Sequence, residues 1–424
     1  MTPVTAQKIV SRAAATLAVS AGLAGCTDYL TVKNPTVIEV TTLDPIADAP
    51  VLANSAVQNL AAAYGWLIMY TSWMAGETDV AETFPTRNEF GRRAVDPTNG
   101  SLSTDVWFPL SQAAASTYLV LAKELPTPET NLNYQKAHFA LGWSFLFMAE
   151  DFCQGTVRAG PPLTTAAMLD SAIAHFTAAM DIGNAVTAAP DTAASRNMAR
   201  ASLVGRARAK LQKGDKPGAL ADANTVPAGF TYNLAYFDDL SNRTRVGNRL
   251  WQFTADRGSM AIAPAWRVVD PRVPQRVAPS NLLPQDANYT VDRGLPYVIQ
   301  DKYPGFGSAI RLASKLEADY IAAEATGSAA ELTLIQARRA ANGQPAYGGP
   351  TDDPSVLEEF ETQRGLEFFL ENKRLGDLVR NGAAVRFVPV PGSTYFKPGF
   401  SPVGNQTCIP LPITETDNNP NFHP

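Results

Sequence analysis

Cysteine and histidine are scarce, three of each in 424 residues, and that scarcity removes whole classes of chemistry. Cys26, Cys153 and Cys408 lie too far apart to make a zinc knuckle, and His138, His175 and His423 show neither HxxxH nor HxxH spacing. No metal site and no cofactor is therefore expected. Runs of lysine or arginine are missing and the net charge is -5, so the chain offers no footprint for nucleic acid. Outside the N-terminal segment the most apolar stretch is residues 139–149, interrupted by Gly142 and Ser144. That is well short of the ~20 residues that a spanning helix needs. A G-x-S-x-G elbow, a phosphate loop and a zinc-protease motif are also lacking. The composition itself is ordinary for a folded chain, with 45% apolar and 18% charged residues.

What the chain does have begins at its N-terminus. Lys8 and Arg12 precede an apolar run, residues 13–24, that ends in Leu23-Ala24-Gly25-Cys26. A positive start, a short apolar core and small residues before a cysteine resemble the signal of a bacterial lipoprotein. In that pattern residues 1–25 are removed, Cys26 takes a diacylglycerol on sulfur, and its new amine is acylated. Each buried methylene contributes ~0.8 kcal/mol, and more than one chain is needed for a lasting anchor. Three acyl chains would attach the protein to a membrane. Residues 26–44, Thr-rich and carrying Asn34-Pro35, read as a lipidated tether. Cys153 and Cys408 could pair in an exported compartment, but their separation gives no geometry and the pairing stays open.

The body, residues 45–424, reads as one domain. Helical periodicity predicts helices over 45–72, 104–125, 131–151, 165–182, 192–212 and 217–224, then over 308–326, 329–341 and 354–380, closed by Asn381-Gly382. Lys213-Gly214-Asp215 ends one helix and caps the next. Ala207, Ala219 and Ala223 around that turn allow two antiparallel helices to approach closely, and the helix from Gly142 to Phe147 has similar small-then-large spacing. This is tetratricopeptide-like packing, though without a clean repeat. Segments 77–103, 225–307 and 383–424 are rich in Gly, Pro and Asn and lack a period. The expected fold is mainly α: a scaffold of helical pairs, about 45–224 and 308–382, with those three segments as irregular excursions and a few short strands such as 250–254.

Residues along the mature chain then resemble the SusD/RagB family of outer-membrane nutrient-binding lipoproteins. The densest part runs from Arg364-Gly365-Leu366-Glu367 through Glu371-Asn372-Lys373-Arg374 to Asp377-Leu378 and Gly382. It matches the family's C-terminal pattern except that Asn372 stands where Gly is usual and Asn381 where Trp is frequent. Arg311 through Tyr320 to Glu324, Arg338-Arg339, Asp270-Pro271-Arg272, Lys302-Tyr303 and Pro410-Leu411-Pro412 follow in the family's order. The resemblance implies a protein of the outer membrane's exterior face that captures oligosaccharide or peptide and delivers it to a TonB-dependent transporter of the SusC type. It also implies that the ligand face is built from the irregular excursions. Phe84, Arg87, Asn88, Phe90, Arg92, Trp266, Arg267 and Tyr289 are the candidates there, since aromatic planes stack on sugar rings while Arg and Asn donate to hydroxyls.

Arg364, Glu367, Glu371, Arg374 and Asp377 recur at three and four residues, which on one continuous helix makes an ion-pair ladder. Carboxylates flanked by Arg stay ionised, which suits neither half of a glycosidase pair, so the ladder is expected to be structural. Trp66, Trp73, Trp107, Trp143 and Trp251 are expected in the core. Trp266 is the tryptophan expected to face a ligand. Two other readings remain: a lipid-anchored scaffold for envelope assembly, and a surface glycosidase using Glu77, Asp79 and Glu82.

Overall fold

Helical hairpins dominate the computed structural model, which describes residues 44, 46–187 and 190–422. The signal segment, Cys26, the tether up to residue 43 and His423 lie outside the described residues. A unit beginning at Ala49 holds everything described below.

The first block comprises α1 (Ala49–Met74), α2 (Pro85–Gly91), α3 (Phe108–Leu121), α4 (Leu132–Asp151), α5 (Thr165–Ala185), α6 (Thr192–Lys213) and α7 (Lys216–Asn224). Its helices start where side chains can satisfy free amides. Asn131 accepts from the Asn133 amide at 2.9 Å, Thr164 from Ala167 at 3.2 Å and Asp215 from Gly218 at 3.0 Å. Gly214 closes α6 at φ 87°, a backbone position that costs a glycine nothing. Packing explains two more glycines. The Phe176 ring on α5 is wedged between Gly142 of α4 and Gly205 of α6, where an added Cβ would sit 2.8 Å and 2.5 Å from ring carbons. Ala207, Ala219 and Ala223 are fully buried, as the small-residue pattern predicts.

The second block holds α8 (Lys315–Thr326), α9 (Ser328–Ala341), α10 (Asp353–Glu367) and α11 (Arg374–Asn381). Here two expectations fail: the helix expected over 308–326 begins only at Lys315, behind a strand at 310–314, and residues 354–380 are not one helix. The chain breaks after Glu367, with Leu370 at φ 56° and Asn372 at φ 51°. Asn is among the few side chains that accept this left-handed backbone, and glycine is the usual occupant, which accounts for the departure at position 372. Its amide is also used, donating to Asp151 at 2.7 Å and accepting from Thr71 at 2.7 Å.

The break disperses the expected ladder, and of its five charges only Arg364 and Asp377 still pair with each other. Arg364 pairs with Asp377 at 2.8 Å. Glu367 meets Arg272 at 3.0 Å and Arg338 at 2.8 Å, and Glu371 meets Lys302 at 2.6 Å and Arg311 at 2.8 Å. The Arg374 guanidinium lies 4.7 Å from the Trp266 ring and donates to the Arg386 carbonyl. The two blocks are also joined by charge: Arg208, which bonds Glu150 of its own block at 2.8 Å, donates to the Asn372 carbonyl at 2.5 Å and lies 3.6 Å from Glu317, which in turn meets Lys373 at 3.0 Å. Breaking one such buried pair typically costs about 3–5 kcal/mol.

Six short strands sit in or beside the excursions, in three antiparallel pairs: β1 (Thr78–Val80) with β3 (Met260–Ile262), β2 (Thr231–Leu234) with β6 (Ile310–Ser314), and β4 (Gln275–Val277) with β5 (Val298–Gln300). The strand expected at 250–254 is helical instead. Leu250, Phe253 and Thr254 are buried at helical spacing, and the Asn248 side chain caps the turn by accepting from the Trp251 amide at 3.1 Å. Trp251 is only partly buried, against Phe306. Cys153, just past α4, is disulfide-bonded to Cys408 with their Cα atoms 5.0 Å apart. Among the described residues no helix is long and apolar enough to cross a membrane.

Candidate functional site

Two irregular helical turns meet at one surface. In the first, Leu102–Trp107, the Phe108 amide reaches back five residues to the Ser103 carbonyl. In the second, Gln252–Asp256, the Arg257 amide does the same to Gln252 at 2.8 Å. Such wide π-turns recur at functional sites because they turn side chains out of normal register. The first presents Asp105 and the second Phe253, and both meet Arg87 of α2. The last turns of α1 add Trp66 and Tyr70.

Arg87 is the centre of this shelf. Its guanidinium donates to Glu82 at 2.7 Å, to Asp105 at 3.3 Å and to the Tyr70 hydroxyl at 3.2 Å, and Tyr70 in turn donates to Asp105 at 2.5 Å. It lies 5.0 Å from the Phe253 ring and 5.3 Å from that of Phe84. Burial works against its charge, but the Tyr70 and Glu82 oxygens outweigh that and raise its pKa. Arg249 stacks 4.5 Å from Trp66 and Arg257 4.7 Å from Phe253. Burial pulls Arg249 down to about 10, with Asp105 opposing the shift. Phe84 immediately precedes α2, whose first residue is Pro85, and is 51% exposed. What reaches the surface is the exposed Phe84 ring with the partly exposed Trp66, Arg87, Asp105 and Arg257, carried on buried Tyr70, Glu82, Arg249 and Phe253. It can stack on a ring with an apolar face and exchange hydrogen bonds with hydroxyls, without reorganising charged groups.

Neither a family model nor a curated relative matches the sequence. Solved structures do. A SusD-like carbohydrate-binding protein from Bacteroides vulgatus superposes with a TM-score of 0.65 at 16% identity, covering 89% of this chain and 97% of that one. A surface glycan-binding protein A from Bacteroides thetaiotaomicron gives 0.65 at 14% identity over 88% and 97%. A laminarin-binding SusD-like protein gives 0.60 at 15% identity over 89% and 99%. The fold is SusD-like.

Within this SusD-like fold the eight candidate residues do not form one site. Phe84 and Arg87 lie on the shelf. Asn88 is buried, donating to the Glu82 and Phe84 carbonyls at 2.9 Å each and accepting from Tyr395 at 2.9 Å. Phe90 is buried against Tyr70, and Arg92 turns to the Ser401 carbonyl at 3.5 Å. Trp266, expected to face a ligand, is 2% exposed and packed on Phe369, because the Arg374 guanidinium covers it. Arg267 holds the Ile262 and Pro296 carbonyls at 3.0 and 2.8 Å, and Tyr289 is buried with its hydroxyl on Asp79 at 3.0 Å. These last three brace the excursion from inside.

Glu77, Asp79 and Glu82 have separate partners. Glu77 accepts the Leu370 amide at 3.0 Å and is pushed up to about 7 by burial. Asp79 is gripped by Arg293 at 2.6 and 2.8 Å, and Glu82 by Arg87. Sequence reasoning missed Tyr70, Asp105, Arg249, Phe253 and Arg257, and placed Trp66 in the core although it is only partly buried. The available signal was the Arg249–Trp251 and Arg257 spacing around Phe253, which becomes one face only once the segment is read as helical.

Proposed function

We propose that this chain is a non-catalytic, lipid-anchored protein of the outer membrane's exterior face that binds oligosaccharide and delivers it to a SusC-like TonB-dependent transporter. The carrying observation is the shelf, where the exposed Phe84 and the partly exposed Trp66 border the partly exposed Arg87 and Arg257, all seated on buried Phe253 and Arg249. Aromatic faces bordered by pre-paired donors and acceptors suit a sugar ring. Support comes from structural neighbours named for carbohydrate or glycan binding and from the Leu23-Ala24-Gly25-Cys26 motif. The transporter and the anchor rest on the family resemblance and on that motif.

The test is calorimetric titration of the full chain, in detergent, with a panel of neutral oligosaccharides that includes laminarin fragments. Arg87→Ala removes a charged donor and the aromatic stacking, which together contribute about 1.5–3 kcal/mol, or roughly ten- to a hundredfold in Kd. A glycan that binds the wild-type chain and the Arg87→Ala and Phe84→Ala variants equally well would sink the shelf as the site.

A further inference from the structure

A cavity of about 340 Å³ lies between the end of α1, β1 and residues 387–403 of the C-terminal excursion. Its size falls within the range of small-ligand clefts. Aromatic rings form much of its wall: Trp73, Phe387, Tyr395 and Phe396. Trp73 is 1% exposed, and its indole Nε1 has no hydrogen-bond partner. Such a donor, desolvated and unmatched, costs about 1–3 kcal/mol unless something accepts from it.

Arg293 lies on the same wall, 4.1 Å over the Phe396 ring. Its Nε and Nη2 are taken by Asp79, while among the described residues no acceptor meets Nη1. Asp79 already accepts three hydrogen bonds, two from Arg293 and one from Tyr289. The cavity therefore has two donors without partners among the described residues, beside a carboxylate that is already paired with a guanidinium.

The backbone is shaped for this space. Phe387 adopts φ 65°, an unfavourable conformation for a large side chain, and such strain persists where the surroundings enforce it. Gly76, at φ 73°, lets the Phe387 carbonyl approach so closely that an added Cβ would lie 2.4 Å from its oxygen.

We infer that this cavity is a second ligand site that takes a carboxylate-bearing sugar ring, a uronate unit. The ring stacks on the aromatic wall and the carboxylate accepts from Trp73 Nε1 and Arg293 Nη1. A carboxylate accepts without donating, so it matches a site with surplus donors better than a hydroxyl, whose own proton would need an acceptor. The inference does not depend on the shelf being a glycan site.

The experiment titrates the full chain in detergent with digalacturonate and with its neutral counterpart, galactobiose, at constant ionic strength. Digalacturonate should bind at least roughly tenfold more tightly, as expected of charge-assisted hydrogen bonds. Thr394→Trp, at an exposed residue of the rim, should block it. Trp73→Phe, which keeps an aromatic ring but removes Nε1, should weaken it roughly tenfold, with melting curves verifying that both variants fold. Absence of digalacturonate binding, or equal affinity for galactobiose, overturns the uronate assignment. Loss of binding in Arg87→Ala but not in Thr394→Trp would place the acid on the shelf and overturn the cavity. Failure of laminarin fragments to bind the shelf leaves this result unaffected.

Discussion

His138 on α4 and His175 on α5 face each other with their Nδ1 atoms 2.8 Å apart, and that contact sets a pH dependence. One nitrogen must donate and the other accept, so the pair cannot take a second proton without losing the bond and placing two cations together. Burial, and then the proximity of His138, lower His175 from 6.5 to about 4; burial lowers His138 as well. In the unfolded chain both imidazoles protonate near 6.5. A folded-state pKa below the unfolded one gives stability that is complete above pH 6.5 and is lost as the pH falls toward 4. For His175 the difference corresponds to about 3 kcal/mol, of which roughly 2.5 kcal/mol is lost by pH 4.5. Urea unfolding at pH 7.5 and 4.5, for the wild-type chain and for His175→Gln, isolates this from acid effects common to both proteins. The wild-type chain should lose about 2 kcal/mol more than the variant over that interval. Parallel losses would refute the reasoning, because they would mean that the imidazoles ionise as freely in the folded state as in the unfolded one.

Three further outcomes are expected. Trp266→Ala should lower stability by about 3–5 kcal/mol in thermal or urea unfolding while leaving glycan affinity unchanged, because the indole is covered by Arg374; the opposite pattern would return it to a ligand face. Cys153→Ser with Cys408→Ser frees a loop spanning 255 residues, for which chain entropy predicts a loss of up to about 5 kcal/mol, readable as a lower midpoint in urea. Cys26→Ser should move the protein from the membrane to the soluble fraction, and sedimentation with membranes regardless would remove the proposed anchor.

Helical pairing was legible because it depends on local signals. Gly214, Asp215 and the buried alanines at 207, 219 and 223 lie close in sequence and specify their hairpin directly. The break at Leu370–Asn372 was hidden for the opposite reason. The pattern from Arg364 to Asp377 fits a helix, and what overrides it is distant: the Glu77 carboxylate on the Leu370 amide, and Asp151 and Thr71 on the Asn372 side chain. The same applies to the candidate site. Phe84 and Arg87 were found because a loop with aromatic and basic residues is conspicuous, whereas Arg249 and Phe253 join them only through a helical turn that a short apolar run does not distinguish from a strand. Trp266 was misplaced because a tryptophan between prolines gives no hint of the guanidinium that covers it.

The break between α10 and α11 also bears on how a partly made chain behaves. Glu77, Asp151 and Glu317 are buried in the helical body, and each takes a partner from residues 370–373. A nascent chain halted before that point has three carboxylates in the interior without those contacts, so the helical body cannot close around them at low cost. Completion is thereby imposed from the far end of the polypeptide, and fragments that end before residue 370 are expected to be more open to proteases than the full-length chain.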